Sequence, residues 1–475
     1  MSKKEMNLAE GPILSRMIFY TLPLLFSGTL QLLYNAADLV VVGNKGEAGE
    51  IYIAAIGATG ALTNLIIGLF LGLSVGSCVV LSQYLGARDD KNASEVVHTS
   101  MLASAIIGVV LAGIGVAFAD DFLLLMQTDP EVIDLSTLYM RIYFAGLPAS
   151  MIYNFGAAIL RAKGDTKYPL LVLVISGAAN VLLNLLMVFV FDRTVDGVAI
   201  ATVASQVISA VMVVIYLCRL KDSCKLILKK LSIKKDKLLR IIRVGLPAGF
   251  QSVVFSISNV MLQSSVNVLG KAAMAGNASA SSIDSFINIA QNSVYHAAIA
   301  FVGQSYGAGN MKRVKKVAFT SIVLVTVIGL VFGGVVFALG KPLLGIYGLD
   351  DSPAKAEALQ NGIMRFNITA LTYFICGIMD VMTGLLRGVG CSLVPMIITA
   401  TGVCGTRILW IKLLFERVDF FHNIFWLYMS YPISWTISVI AQTITLIIVY
   451  RRIEKRMNSS PPASPDIKEE EQASV

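Results

Sequence analysis

"SQYLGARDDKNASEVVHTS", residues 82–100, returns as "GQSYGAGNMKRVKKVAFTS" at 303–321, with seven of nineteen positions identical. Three more pairs follow the same offset. "RMIFYTLPLLF" (16–26) aligns with "RIIRVGLPAGF" (240–250), "MR" at 140–141 with "MR" at 364–365, and "ILRAKGDTKYP" (159–169) with "LLRGVGCSLVP" (385–395). The shift stays between 221 and 226 residues, so the chain is one design written twice. The basic stretch 219–243 is the joint.

What is repeated is a set of membrane-crossing helices. The 475 residues are 56% hydrophobic and 14% charged, where a soluble chain carries about a quarter charged residues. Long apolar stretches recur, each near the ~20 residues that cross a bilayer as a helix. Twelve spans are predicted, at 14–42, 52–84, 97–118, 138–160, 168–191, 197–218, 244–268, 280–305, 317–339, 360–386, 393–415 and 423–450. Pro23, Pro148 and Pro247 fall within or beside spans, where proline kinks a helix.

Each half takes six spans, an even number, so both halves enter the membrane the same way round. The expected fold class is all-α integral membrane: twelve transmembrane helices in two six-helix bundles related by a pseudo-two-fold along the membrane normal. Two such bundles enclose a central cleft that rocking exposes to each side in turn, the architecture of a secondary transporter. The expected division is an N-terminus at 1–13, a first bundle at 14–218, the linker 219–243, a second bundle at 244–450, and a polar, proline-rich, disordered tail at 451–475.

Lysine and arginine set the orientation. With the N-terminus inside, inward segments hold 28 of the 38 basic residues and outward loops 6. Both termini are therefore expected in the cytoplasm, and the protein in the cell (plasma) membrane. "MSKKEMNLAEGP" lacks a small-residue cleavage site after its apolar run, so no removed signal peptide is expected. The net charge of +8 is largely the inward loops facing anionic lipid, and calls for no nucleic-acid partner.

Several chemistries find no support. The six cysteines form no C-x-x-C pair, and His98, His296 and His422 are too scattered for a metal site or triad. No cofactor is expected. The chain has no G-x-x-x-x-G-K-[ST] for a nucleotide, and neither H-E-x-x-H nor G-x-S-x-G for an intramembrane enzyme.

Three acids lie in the spans: Asp38, Asp284 and Asp380. An Asp at a helix centre costs ~3 kcal/mol on insertion scales, so each needs a task or a wet location. Asp38 stands about 24 residues into its helix, ~36 Å at 1.5 Å per residue; by position alone it is a rim residue in water. Asp284, near the outer end of its span, reads as a solvated helix end and only a weak site candidate. Asp380 shares a helix face with Arg387, which suggests an ion pair, or a site for a cationic substrate. Arg141, Arg365, Arg407 and Lys412 are explained by snorkelling to the interface.

In order and spacing, "YNAADLVVVG" (34–43), "SQYLGARD" (82–89), "LRAKGDTKYP" (160–169) and "GQSYGAGN" (303–310) resemble the multidrug and toxic compound extrusion (MATE) family. The likeness runs over roughly residues 14–450. The G-x-x-x-D-[RK]-x-G-[RK] loop of the major facilitator superfamily is missing. The resemblance implies cation-coupled export of varied small-molecule organic cations, exchanged for protons or sodium ions, by a chain expected to act as a monomer in the lipid bilayer. A flippase for lipid-linked or polysaccharide precursors is the alternative within the wider group, and the acids in the spans argue against its anionic cargo.

The resemblance also makes Asp38 the first-bundle coupling acid. Its implied partners are Asn154, Asn180, Asn184 and Thr202, of which Asn180 and Asn184 share a helix face. Much of this family branch has Asp where this chain has Asn184, so Asp38 is the pocket's one carboxylate. Removal from water favours the neutral form of a lone carboxyl, which suits a proton. Amide and hydroxyl oxygens also suit sodium, so both ions stay open. In the second bundle, Asp380 aligns with Asn154 by the repeat. The acid that accompanies it in the sodium-type branch is missing from span seven, where Gln251, Asn259 and Gln263 offer only amide oxygens. Tyr34 and Tyr143 are conceivable aromatic contacts for a flat ligand.

Overall fold

The computed structural model describes residues 7–43, 49–353 and 355–459, and among these the regular structure is helical throughout, with no strand. The helices are α1 (Ile13–Gly43), α2 (Gly49–Gly86), α3 (Asp90–Ala117), the short α4 (Ala119–Leu125), α5 (Ile133–Ala145), α6 (Leu147–Lys163), α7 (Lys167–Leu185) and α8 (Val195–Arg219). The second half continues with α9 (Lys235–Val268), α10 (Lys271–Gly307), α11 (Met311–Ala338), the short α12 (Gly340–Gly345), α13 (Ala356–Gly388), α14 (Leu393–Thr399), α15 (Thr406–Leu409) and α16 (Ile424–Ser459). Wider π-turns follow α7 at Leu186–Val190, join α14 to α15 at Ala400–Gly405, and follow α15 at Trp410–Phe415.

Ten of the described helical stretches are long and apolar enough to cross a membrane, and α5 with α6, bent by 47°, makes an eleventh. The bend falls at Gly146, with Pro148 in the first turn of α6, where a proline needs no amide donor. Gly108 of α3 lies against it: a Cβ there would stand 2.6 Å from Pro148 Cα, so only glycine lets α3 approach. The twelfth helix is α10, 37 residues long and rich in Ser, Asn and Gln. Its polar groups Asn277, Asp284, Gln291 and Gln304 are buried. A helix shielded by its neighbours need not be apolar all round.

The chain packs as two units. In the first, α6 is central, meeting α2, α3 and α8, while α7 lies along α8. In the second, α13 is central, meeting α10, α11 and α16. Leu8–Thr21 group with the second unit and Leu22–Leu246 with the first, so the expected linker 219–243 falls within the first unit and α1 is divided between the two just before Pro23. At the other end, α16 continues to Ser459, so residues 451–459 of the expected disordered tail are helical. Residues 460–475 lie outside the described residues, as does Lys45.

The repeated stretches 82–100 and 303–321 fasten the segment leading into each half's first helix. In the second unit Arg313 donates to the carbonyls of Leu8 (2.9 Å), Glu10 (2.8 Å) and Gly11 (2.9 Å), and Leu8 N–H donates to Gln304 Oε1 at 3.1 Å. In the first unit the linker ahead of α9 is held by α3. Ile227 N–H donates to His98 Nε2 at 3.1 Å, Lys234 N–H to Thr99 Oγ1 at 3.2 Å, and Thr99 Oγ1 to Ser232 O at 3.3 Å. The motif copies are thus matching straps.

Arg313→Ala removes its bonds to those three carbonyls, of which that of Glu10 keeps a donor in Arg16, and should destabilise the strap by about 1–3 kcal/mol. Hydrogen exchange of residues 8–12 should then quicken by about tenfold or more. Unchanged exchange would show that the bonds hold nothing.

Candidate functional site

Asp38 sits five residues before the end of α1, part-buried in the first unit. Its Oδ1 accepts a hydrogen bond from Asn184 Nδ2 at 2.5 Å, and the same Nδ2 lies 3.4 Å from Asn180 Oδ1. Asn180 and Asn184 are both buried, one turn apart on α7. Just beyond Asn184 the helix widens into the π-turn Leu186–Val190, a departure that often marks functional positions because it re-aims side chains and loosens the ladder. Asp38, Asn180 and Asn184 are therefore brought together, across 146 residues of chain in the case of the acid and its amide.

The other two first-bundle candidates behave differently. Asn154 turns back on its own helix, donating to Ser150 O at 2.9 Å, and makes no bond to Asp38. Thr202 keeps a buried hydroxyl with no partner among the described residues, and so does the carbonyl oxygen of Asn184. A buried acceptor without a donor is costly, on the order of 1–3 kcal/mol. The surroundings of Asp38 thus hold a carboxyl and a buried amide oxygen with no donor among the described residues.

α1 reaches α7 through a close contact. Tyr34, one turn before Asp38, packs against Gly177, where a Cβ would stand 1.9 Å from the ring. Tyr139 of α5 stacks on Tyr143, with centroids 6.1 Å apart, and lies within electrostatic reach of Asp38. Gly177 and Tyr139 were not legible as site residues. The i,i+4 pairing of Tyr139 with Tyr143 was the available signal. Gly177→Ala should push Tyr34 away and weaken the approach of α1 to α7, lowering the thermal unfolding temperature of the protein.

In the second unit the candidates are not gathered. Asp380 makes no ion pair with Arg387, and none with any other described residue. Arg387 instead donates to Gln251 Oε1 at 2.7 Å and to the Tyr295 hydroxyl. Asn259 Oδ1 accepts from Arg407 Nη1 at 3.3 Å. Gln263 is tied to Asn267 (2.9 Å) and Asn277 (2.8 Å). The expected amide cage for an ion at Asp380 is thus engaged elsewhere.

Two readings need correction. Asp284 is not a solvated helix end: it is 2% exposed and forms an ion pair with Arg365, Oδ2 to Nη2 2.9 Å and to Nε 2.9 Å. The reason is length, because α10 begins at Lys271 and carries Asp284 thirteen residues inward. Nor do Arg365 and Arg407 snorkel; they are 4% and 2% exposed. Arg365 also donates to Asn277 Oδ1 at 2.5 Å, which accepts from Tyr428 as well at 3.1 Å. Arg141 and Lys412 are exposed as expected, paired with Asp120 and Glu416.

Twelve helices in two repeats, with a carboxylate bonded to one buried amide beside a π-turn, define an integral membrane transporter of the twofold kind. The MatE family profile matches residues 23–186 and again 247–410, and the chain belongs to that family, whose members are transporters and not enzymes. Among curated relatives it is 28% identical over 399 residues to "Probable multidrug resistance protein YoeA" of Bacillus subtilis (strain 168), covering 82% of this chain and 85% of that one. It is 22% identical over 383 residues to "Multidrug export protein MepA" of Staphylococcus aureus (strain bovine RF122 / ET3-1), covering 80% and 83%. The solved structure of a MATE protein in complex with MaL6 superposes with a TM-score of 0.88 at 21% identity, over 96% of this chain and 100% of that one, a likeness of fold.

Proposed function

We propose that this protein exports organic cations from the cell in exchange for inward-moving protons, with Asp38 as the coupling group. The single observation that carries this reading is the Asp38–Asn184 bond across α1 and α7, set against a buried amide oxygen without a donor. Ionised Asp38 accepts from the Asn184 amide. Once protonated, it is an O–H donor and a weaker acceptor, so the pair must re-form with the amide turned over, its oxygen accepting from Asp38. The amide has two donors and one acceptor end, and the change of protonation chooses between them.

In this reading the exchange loosens α1 from α7 and alters its lean. Pro23 already deprives α1 of one backbone donor and gives it a place to bend. Protonation from outside favours the packing that releases drug; loss of the proton to the inside restores the packing that binds it. Alternating access by the two bundles, the plasma membrane, cytoplasmic termini and a monomeric state belong to the same proposal. The basic residues concentrated at one end of the helices support that orientation. Two arrangements that differ by a few kcal/mol suffice for such a cycle.

The test is export of a fluorescent organic cation from proteoliposomes under a proton gradient, in sodium-free buffer. Transport under these conditions is expected. A protein idle until sodium is added would transfer the coupling to sodium and make the amide-rich pocket its cage.

A further inference from the structure

His98 of α3 is 4% exposed, and both nitrogens of its ring are engaged. Nδ1 stands 2.7 Å from the carbonyl oxygen of Ser94, one turn back, and Nε2 receives the Ile227 N–H at 3.1 Å. A carbonyl oxygen can only accept and a backbone N–H can only donate. The roles on the ring are therefore fixed: Nδ1 carries the proton and Nε2 is bare. The bond to Ile227 exists while the imidazole is neutral. A second proton would sit on Nε2 and point at another N–H.

Ile227 belongs to the stretch that joins the first repeat to the second, and this stretch is fastened at three places. Asp222 pairs with Lys163 at the end of α6. Ile227 is held by His98. Ser232 and Lys234 are held by the Thr99 hydroxyl, at 3.3 and 3.2 Å. Of these fastenings, the middle one rests on the kind of side chain that changes charge between about pH 5 and 8.

No charged group stands ready to take over from that bond. Along α3 the nearest are Lys91, which is exposed, and Glu95, which is half-buried. From α6 come Arg161 and Lys163, the latter already paired with Asp222. The linker adds Lys225, Lys229 and Lys230, all exposed, and α2 brings no charge between Ile51 and Gly86. The partners of the ring among the described residues are Ser94 and Ile227. A protonated ring here is a buried cation among mostly basic neighbours with no acceptor at Nε2, a costly arrangement that opening relieves.

We propose that His98 is the catch of a pH-operated latch on the linker between the repeats: neutral, it holds the linker against α3; protonated, it lets it go. The hold is complete on the alkaline side and is lost as pH falls through the titration of the imidazole. The fastenings at Asp222 and Thr99 hold no histidine, so the chain bows out between them and does not detach. On the orientation proposed above, the latch faces the cytoplasm, where inward-moving protons arrive. It does not involve Asp38 and holds for either coupling ion.

Hydrogen exchange of the full-length protein in detergent tests it, at about pH 8 and about pH 5.5, with rates corrected for the effect of pH on the exchange chemistry. In wild type the protection of the Ile227 amide should fall about tenfold or more on going to acid. His98→Gln offers an oxygen and cannot gain a proton, so its protection should change by less than about twofold. His98→Asn is too short to reach Ile227, and its linker should exchange at both pH values as fast as that of acid wild type. Constant protection in wild type, which needs no variant to observe, overturns the proposal. So does an acid-induced fall of equal size in His98→Gln, or a linker as protected in His98→Asn as in wild type at about pH 8.

Discussion

Asp38→Asn should abolish proton-driven export, a fall of about two orders of magnitude or more, while the protein stays folded and still binds drug. The substitution keeps the shape of the side chain and its ability to accept from Asn184, whose Nδ2 lies 2.5 Å from the acid. It removes only the group that gains and loses a proton. General acid–base steps of this sort are lost, not weakened, when the titrating atom goes. Because Asp38 is part-buried at the edge of its unit, its neutral replacement leaves no buried charge unpaired, so the melting temperature should hardly move. Drug moving down its own gradient should survive in the variant, since that needs binding and rocking but no proton. If proton-driven export persists, Asp38 is a rim residue and Asp380 becomes the candidate.

Asp284→Ala should have the largest effect on stability, about 3–5 kcal/mol, because it strands the Arg365 guanidinium inside a helical bundle. The acid takes two donors of Arg365 at 2.9 Å, and the other side of the same guanidinium is held by Asn277, itself fixed by Tyr428. The carboxylate is one corner of a connected network in α10, α13 and α16. The double variant Asp284→Leu, Arg365→Met removes both charges at similar volume and should recover most of the loss, since a buried pair adds little over a good apolar replacement. Thermal unfolding and size-exclusion profiles in detergent read both. A harmless single variant would mean that water reaches the pair.

Much of the fold was legible because two signals agreed. Apolar runs of bilayer length match ten of the described helices and the bent pair α5–α6, and the repeated motifs agree with a family profile that matches the chain twice. The Asp38 site was legible in part: Asn180 and Asn184 share a face by spacing, and the family likeness matched them to the acid, but spacing could not say that Asn154 would turn back to Ser150. The arginines were hidden for a physical reason. Helical periodicity tells which residues share a face, yet not whether that face meets lipid, water or another helix. The two "MR" copies make the point, since Arg141 ends exposed with Asp120 and Arg365 ends buried with Asp284. A polar helix such as α10 likewise looks the same in sequence whether solvated or sheathed.

The most direct test of the coupling is proton release on drug binding. Purified protein in weakly buffered, sodium-free solution, at a pH where Asp38 holds its proton, is mixed with an organic cation while pH is followed. If drug and proton compete for the first-bundle arrangement, wild type should release about one proton per drug bound, and Asp38→Asn should bind the drug and release none. Release of equal size from both proteins, or binding by wild type with no release at all, would contradict coupling through Asp38.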